Sequence, residues 1–349
     1  MHRPEIGDRV PNILGATAGG RFFSLDAQAG RPAVLVALGA RLDRARQVVD
    51  QIRAARGVLK AVGVDVVPIA PTDASFAAAF AADPDVGPDI VYVVQAGGLE
   101  TCELEGCPAA ILIDRSGRIA GLLALGDGVD LAAWGEGMAA RVSSPPARRC
   151  AAAAPVLIIP GIASEALCEA LIAHFEASPH EAGVMASYAD GAPQAKLDEN
   201  QKHRRDVELT ADSPLYAQVL QVFATRCAPE IKRAFQVDIT SSDRILIARY
   251  DDTGGYFKRH RDNALPHTEF REFAVSLNLN THQYEGGELW FPEYSDDLFS
   301  PPAGGAAIFS ASLLHEAAPV LKGRRYVLLS FFCGAQAQAR MAAAADPPA

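Results

Sequence analysis

The chain lacks any apolar run long enough to span a bilayer, and no membrane partner is expected. It also lacks a basic excess. A net charge of −10 opposes the broad cationic footprint that a nucleic-acid backbone demands, so nucleic-acid binding is not expected either. Cysteine is sparse and irregularly placed, at Cys102, Cys107, Cys150, Cys168, Cys227 and Cys333. Such spacing reads as reduced thiols rather than a disulfide framework. The opening Met1-His2-Arg3-Pro4-Glu5 has neither the basic region nor the apolar core of a signal peptide, and a cytoplasmic protein is expected.

What is present is enough for two cores: 349 residues, of which 49% are hydrophobic. Ser143 to Ala154 (Ser-Ser-Pro-Pro-Ala-Arg-Arg-Cys-Ala-Ala-Ala-Ala) is small, proline-bearing and without apolar periodicity, which marks a linker. Residues 1–142 then form one domain, 155–335 a second, and the alanine-rich 336–349 a flexible tail. The first segment alternates strand and helix patterns. Pro32 to Leu38 and Val64 to Ala70 read as strands and Leu42 to Val62 as a helix. Pro108 to Asp114 and Ile119 to Leu125 read as a hairpin, with Leu131 to Val142 closing as a helix. Such alternation indicates an α/β layer. In the second segment Ser164 is a plausible N-cap before Leu167, Leu171 and Phe175. Tyr216 to Ala234 reads as another helix and Arg244 to Tyr250 as a strand, while Ala186 to Asp206 shows no clear element.

Chemistry-bearing residues concentrate between Arg249 and Phe332. His260-Arg261-Asp262 is followed by Tyr284-Glu285-Gly286-Gly287-Glu288-Leu289, then His315, then Arg325. Two imidazoles and one carboxylate are the ligand set of the facial triad, which leaves three positions of an octahedral Fe(II) open. In extended chain, residues i and i+2 share a side, so His260 and Asp262 can converge on one ion while Arg261 faces away. His315 must then arrive from a different strand. The run Ala306-Ala307-Ile308-Phe309 leads to it, Lys322-Gly323 offers a turn, and Arg325 to Phe332 reads as a strand. A guanidinium at Arg325 would lie in the metal cavity, deeper than His315. Its planar donor fork suits a carboxylate whose other end chelates the metal. 2-Oxoglutarate has that shape.

Residues from about 155 to 335 resemble the prolyl 4-hydroxylase-like 2-oxoglutarate/Fe(II) oxygenases. The matching features, in order, are Arg249-Tyr250, Gly254-Gly255-Tyr256-Phe257, the His-x-Asp, and Gly286 to Pro292. They continue with Pro302 and Gly304-Gly305, His315 with Pro319-Val320, and Gly323-Arg324-Arg325-Tyr326. The resemblance implies a double-stranded β-helix of the jelly-roll or cupin kind. It also implies that His260, Asp262 and His315 bind Fe(II), that Arg325 binds the distal carboxylate of 2-oxoglutarate, and that Tyr250 adds a second contact to it. O2 is the co-substrate, succinate and CO2 are released, and ascorbate keeps the iron reduced in relatives of this kind. An aspartate in the triad, rather than a small residue, argues for hydroxylation over halogenation.

The first segment resembles the peroxiredoxin branch of the thioredoxin fold, through Gly7-Asp8-Arg9-Val10-Pro11-Asn12 and Ile113-Asp114-Arg115-Ser116-Gly117. That family starts the helix after its first core strand with a threonine and a peroxidatic cysteine. Here the run is Gly39-Ala40-Arg41-Leu42-Asp43-Arg44, without a thiol. The resemblance therefore implies a redoxin fold that is non-catalytic, suited to docking or to a homodimer. Pro108 stands where such folds carry a cis-proline, so a cis Cys107–Pro108 bond is expected, with Cys107 and Cys102 near the vacated position.

Plainer readings stand beside these. His2, His174, His180, His203, His267 and His282 read as surface or helper histidines, and Trp290 as core or pocket wall. Arg204 and Arg205 read first as a solvated face and second as substrate contacts. Three functions follow. The leading one is a 2-oxoglutarate-dependent dioxygenase hydroxylating an amino-acid, peptidyl or other small-molecule C–H bond. The others are a thiol-based redox or peroxidase adaptor using Cys107 or Cys102, and a non-catalytic iron and oxo-acid sensing module. Substrate identity is not legible at this level, because one fold hosts many substrates.

Overall fold

In a computed structural model of the protein, residues 4–39, 41–72, 74–94, 108–143, 149–189 and 192–345 are described. Among them no helix is long and apolar enough to cross a membrane. The chain divides into two compact units, Met1–Ala147 and Arg148–Ala349.

The N-terminal unit is built on a seven-stranded sheet. Its strands are β1 (Leu14–Thr17), β2 (Phe22–Ser24), β3 (Ala33–Ala37), β4 (Asp65–Pro71), β5 (Val91–Val93), β6 (Ala109–Ile113) and β7 (Ile119–Ala124). They lie in the order β2-β1-β5-β4-β3-β6-β7. β3, β4 and β5 are parallel neighbours, whereas β6 and β7 add an antiparallel hairpin. β3 and β6 are apolar at every position because both faces of the sheet are covered. Val34, Val36, Ala110 and Leu112 pack on one side with Ile52 and Leu59 of helix α1 (Leu42–Ala61). Ala33, Leu35, Ile111 and Ile113 face the other side, against Val10, Ile13 and Leu25. Short helices α2 (Ala74–Phe80) and α3 (Leu131–Met138) complete the unit, α3 being started by Asp130, whose carboxylate accepts from Ala133 N–H.

The C-terminal unit begins with β8 (Leu157–Ile159) and helix α4 (Glu165–Ala177), whose N-cap Ser164 accepts from Leu167 N–H. Next come β9 (Glu181–Ala182), β10 (Met185–Ala189), β11 (Ala192–Lys196), β12 (Lys202–His203) and β13 (Arg205–Glu208). Helices α5 (Pro214–Val222) and α6 (Ala228–Phe235) follow. The remaining strands are β14 (Ser241–Ser242), β15 (Leu246–Asp251), β16 (Tyr256–His260), β17 (Phe273–Asn278), β18 (Tyr284–Gly286) and β19 (Leu289–Trp290). β20 (Leu298–Phe299), β21 (Ala306–Ser310), β22 (His315–Ala317) and β23 (Val320–Cys333) precede a last helix, α7 (Ala335–Ala345).

Two antiparallel sheets form a β-sandwich. The smaller runs β12-β16-β22-β19-β20, and the larger is led by β8-β21-β17-β23-β15-β13-β9. Strand alternation divides the larger sheet between two cores. Ile247, Val275, Leu277 and Leu328 point outward onto α4, α5 and α6, among Phe175, Val219 and Ile231. Ala248, Tyr250, Ala274 and Val327 point inward and meet Leu289, Phe291 and Ala317 of the smaller sheet. Each fully buried leucine, valine or phenylalanine here contributes about 1.5–3 kcal/mol.

Several local expectations are corrected. The stretch 186–206 is not without structure: β10 and β11 pair as a hairpin, and β12 and β13 join the two sheets. Every residue of β11 is exposed, so this hairpin has no apolar alternation by which sequence could reveal it. Lys322-Gly323 is not a turn but lies within the long β23, with Gly323 at a φ of 77° and paired to Tyr284. A Cβ there would stand 2.6 Å from the Gln283 carbonyl oxygen, which explains the glycine. The helix expected over 216–234 is continuous in direction but opens into a π-turn at Phe223–Cys227. Pro229 has no N–H to give to the preceding turn. The expected flexible tail begins as helix α7, with Ala337 buried, while residues 346–349 lie outside the described residues. So do Cys102, Cys107 and the expected cis Cys107–Pro108 bond.

Candidate metal and oxo-acid site

β16 and β22 are neighbours in the smaller sheet, and their register sets His260 directly opposite His315. The ladder shifts between Phe257 and His260, so a bulge lets these two residues, three apart, both face the cavity. Their rings stack at 3.5 Å between centroids. Asp262 does not reach the histidines through strand pleating, as its spacing suggested. β16 ends at His260, and Asp262 sits in the following turn, where its N–H donates to Ala311 O at 2.9 Å. Arg271 donates to its carbonyl at 3.2 Å. Arg261 points outward to an ion pair with Glu293 at 2.7 Å, as expected.

The three side chains form the one His/Cys/Asp/Glu cluster with metal-binding spacing among the described residues, all ligand atoms lying within 4.8 Å of one another. Nδ1 of His260 is 2.8 Å from Lys258 O, and Nδ1 of His315 is 3.0 Å from Leu313 O. A carbonyl only accepts, so each Nδ1 carries a proton and Nε2 is the nitrogen that each ring turns inward. Those nitrogens face the Asp262 carboxylate at 3.4 and 3.5 Å. Burial pushes the His315 imidazole down to about 4, against the pull of Asp262, so it is neutral at neutral pH. Burial opposes ionisation of Asp262, yet His315, His260 and Arg271 outweigh it and hold the carboxyl at about 2. The Asp262 carboxylate and the two inward-facing imidazole nitrogens thus converge on one point. A cation is the partner that satisfies all three, and deprotonated N and O donors are what Fe(II) requires.

Arg325 lies in β23 directly across from Tyr250 of β15. It is 2% exposed, donates to Asn278 Oδ1 at 3.1 Å and to Ser276 Oγ at 3.3 Å, and among the described residues has no carboxylate partner. Its buried Nε has no hydrogen-bond partner. A buried guanidinium with an unused donor is costly unless an anion completes it, which fits an oxo-acid carboxylate. Its guanidinium carbon lies 5.2 Å from the Tyr250 ring centre. Tyr250, 2% exposed, accepts from Arg204 at 2.9 Å, so its own hydroxyl proton is free for an oxygen in the cavity. Arg324 points to the other side, half exposed, with Asp251 at 3.4 Å.

His260, Asp262, His315, Tyr250 and Arg325 all line one cavity of about 190 Å³. Residues 245–333 match the 2OG-Fe(II) oxygenase superfamily. Every residue of the cluster, with Tyr250 and Arg325, falls inside that match. The match implies a 2-oxoglutarate-dependent dioxygenase, with Fe(II), 2-oxoglutarate and O2. A 91-residue stretch is 32% identical to a PKHD-type hydroxylase of Maricaulis maris, covering 25% of this chain and 41% of that one. The chain thus spans about two-fifths of the curated relative it matches. Among solved structures it is similar to the viral collagen prolyl hydroxylase of Paramecium bursaria Chlorella virus-1. That similarity has 17% identity, coverage of 51% of this chain and 94% of that one, and a TM-score of 0.39. It is also similar to a prolyl hydroxylase of Trichoplax adhaerens solved with a hypoxia-inducible-factor peptide. The values there are 16% identity, 53% and 86% coverage, and a TM-score of 0.42.

Sequence reasoning missed Lys202 and reached Arg204 only as a secondary reading. Both are buried and line this cavity, with Asp206 bridging them. Their one signal was alternation of charge in a stretch without an apolar pattern. Other histidines stay away from the cluster: His203 bonds Gly254 O, His180 stacks on Phe175 and His267 on Tyr188. Trp290 is held by its N–H to Ser295 O at 2.9 Å and lies under Arg259, outside the cavity lining.

Proposed function

We propose that this protein is an Fe(II)- and 2-oxoglutarate-dependent dioxygenase that hydroxylates an amino-acid, peptidyl or other small-molecule C–H bond. The observation that carries the reading is the pairing, in one cavity, of a cation-demanding His260–Asp262–His315 cluster with an anion-demanding Arg325. His260, Asp262 and His315 would hold the iron. Arg325 would hold the distal carboxylate of 2-oxoglutarate, with the Tyr250 hydroxyl as a second donor and Ser276 and Asn278 fixing the guanidinium. When bound, the iron couples 2-oxoglutarate, O2 and R–H to succinate, CO2 and R–OH. The chain's own contribution is orientation and dryness. Phe257, Leu289, Phe309 and Ala317 wall the cavity, and the carbonyls of Lys258 and Leu313 hold both rings by Nδ1 so that each Nε2 faces inward.

We read the sandwich, residues 155–335, as a double-stranded β-helix, and residues 1–142 as a thioredoxin-like domain of peroxiredoxin type without catalysis. The order β5-β4-β3-β6-β7 with helix α1 after β3 supports the second reading. At the start of α1 the chain has Arg41, ion-paired to Asp43, where a thiol would be needed. A Cβ added to Gly39 would lie 3.3 Å from Pro108, so the proline does border that position.

The test is an anaerobic titration of the purified protein with Fe(II) and then 2-oxoglutarate, followed by visible absorption. A saturable charge-transfer band, absent in His260→Ala, is the expected result. Folded protein that gives no band would overturn the proposal.

A further inference from the structure

Resting on the dioxygenase reading, we propose that the substrate presents a carboxylate, held by Lys202 with Arg204 beside it. In the loaded site, iron, Asp262 and Arg325 together balance the two carboxylates of 2-oxoglutarate. The cavity wall carries two more buried cations, Lys202 and Arg204, and the partly buried anion Asp206 pairs with both from outside the lining. The other lining arginines are engaged elsewhere, Arg271 with Asp243 at 2.6 Å, Arg261 with Glu293 at 2.7 Å and Arg244 with Glu208 at 3.7 Å. With Lys202 protonated, one positive charge is left over, and an uncompensated buried charge calls for a counter-ion.

The geometry says where the anion would sit. Asp206 is committed to Arg204, with Oδ1 at 2.8 Å from Nε and Oδ2 at 3.1 Å from Nη2. Lys202 donates to Val184 O at 2.7 Å and reaches Asp206 only at 3.4 Å. Among the described residues the third N–H of its ammonium has no acceptor. Burial pushes the Lys202 ammonium down to about 7, with Arg204 adding to the effect and Asp206 opposing it, as befits a cation short of negative partners. The group is built in rather than incidental. A Cβ at Gly183 would come within 2.8 Å of Asp206, 2.9 Å of Lys202 and 3.0 Å of Arg204, so the three side chains pack closely under this glycine and a larger residue would have to displace them. Both cations also lie near the Phe257 ring on which His260 stacks, at 5.1 and 5.7 Å, so an anion held there is next to the metal cluster. A free amino acid or other small carboxylic acid fits this arrangement better than the amide backbone of a peptide.

The anaerobic Fe(II)/2-oxoglutarate complex would be titrated with the free amino acids, each one's carboxamide, and N-acetylated amides of aspartate and glutamate. Binding would be read by calorimetry and by perturbation of the visible band. Air is then admitted and succinate release measured. The expected result is at least one carboxylate that binds and stimulates turnover, with its amide about tenfold weaker or worse. The acetylated amides tell a side-chain carboxylate from an α-carboxylate. In Lys202→Met the Fe(II)/2-oxoglutarate band persists, KM for that substrate rises about tenfold or more, kcat stays within about twofold, and Lys202→Arg recovers part of the loss. Acids and amides acting equally, an unchanged KM in Lys202→Met, or no effect of any carboxylate while the band is present would each overturn the inference. Absence of the band in the unaltered protein would instead overturn the dioxygenase reading, and this inference with it.

Discussion

The two units treat buried polarity in opposite ways. Among the described residues, the N-terminal unit buries Thr17 and Arg118 and otherwise fills both faces of its sheet with aliphatic side chains. The C-terminal unit buries Lys202, Arg204, Arg226, Glu230, Arg249, His315 and Arg325, with Ser276 and Asn278 on β17 and Asn280 just beyond it. A buried charge costs several kcal/mol unless it is paired, so a fold that concentrates such charges has given up stability for a site. The N-terminal sheet is of similar breadth but retains nothing of the kind at the start of α1. On the proposal that the C-terminal unit is the working framework and the N-terminal unit is non-catalytic, the placement of buried charge, not secondary structure, is what separates them.

Four perturbations would break or sharpen this contrast. Asp262→Ala should have the largest effect, because it removes the anion between two lone pairs. Loss of an outer-shell partner already costs 10–100-fold in metal affinity, so succinate release should fall by more than about a hundredfold, and the visible band should vanish. Asp206→Asn should come next, leaving Lys202 and Arg204 uncompensated and lowering stability by about 3–5 kcal/mol in chemical denaturation. Only the transition of the C-terminal unit should move. Burial opposes ionisation of Asp206, but Arg204 and Lys202 prevail and hold its carboxyl below the usual range. Its stabilising contribution is therefore present above the unfolded carboxylate pKa and lost as pH falls through the lowered folded value, so variant and parent should converge in acid.

Arg325→Ala should weaken 2-oxoglutarate by about 2–3 kcal/mol, or roughly thirtyfold or more in its apparent Kd, with the band recovered at saturating oxo-acid. Iron binding should be nearly unchanged, which separates the anion pocket from the metal cluster. The smallest expected effect belongs to the N-terminal unit. Cys102→Ser together with Cys107→Ser should leave both succinate release and the slow background consumption of peroxide unchanged. A drop in peroxide consumption would revive a thiol role and undo the contrast.

Much of this was legible because it is local. The apolar run of Pro32 to Leu38 and the Ser164 cap are each written within a few residues, and structure followed them closely, whereas the His-x-Asp marked two donors but not the turn that carries Asp262. Arg325 was legible through its position in a strand beyond His315. The bulge that turns His260 inward was not legible, because it comes from pairing with β22, some fifty residues on. The hairpin of β10 and β11 was hidden for the opposite reason: nothing in it is buried enough to leave a pattern.

By itself, then, the sequence determined which donors exist, their type and their order, since side-chain chemistry and strand periodicity are properties of neighbours along the chain. Only the tertiary structure decided that Asp262 reaches the imidazoles from a turn, that Gly323 belongs to a continuous strand, and that Lys202 and Arg204 share a cavity with them. Burial and charge balance depend on contacts between distant segments, and a cation that looks solvated in sequence becomes a demand for an anion once the fold takes its water away.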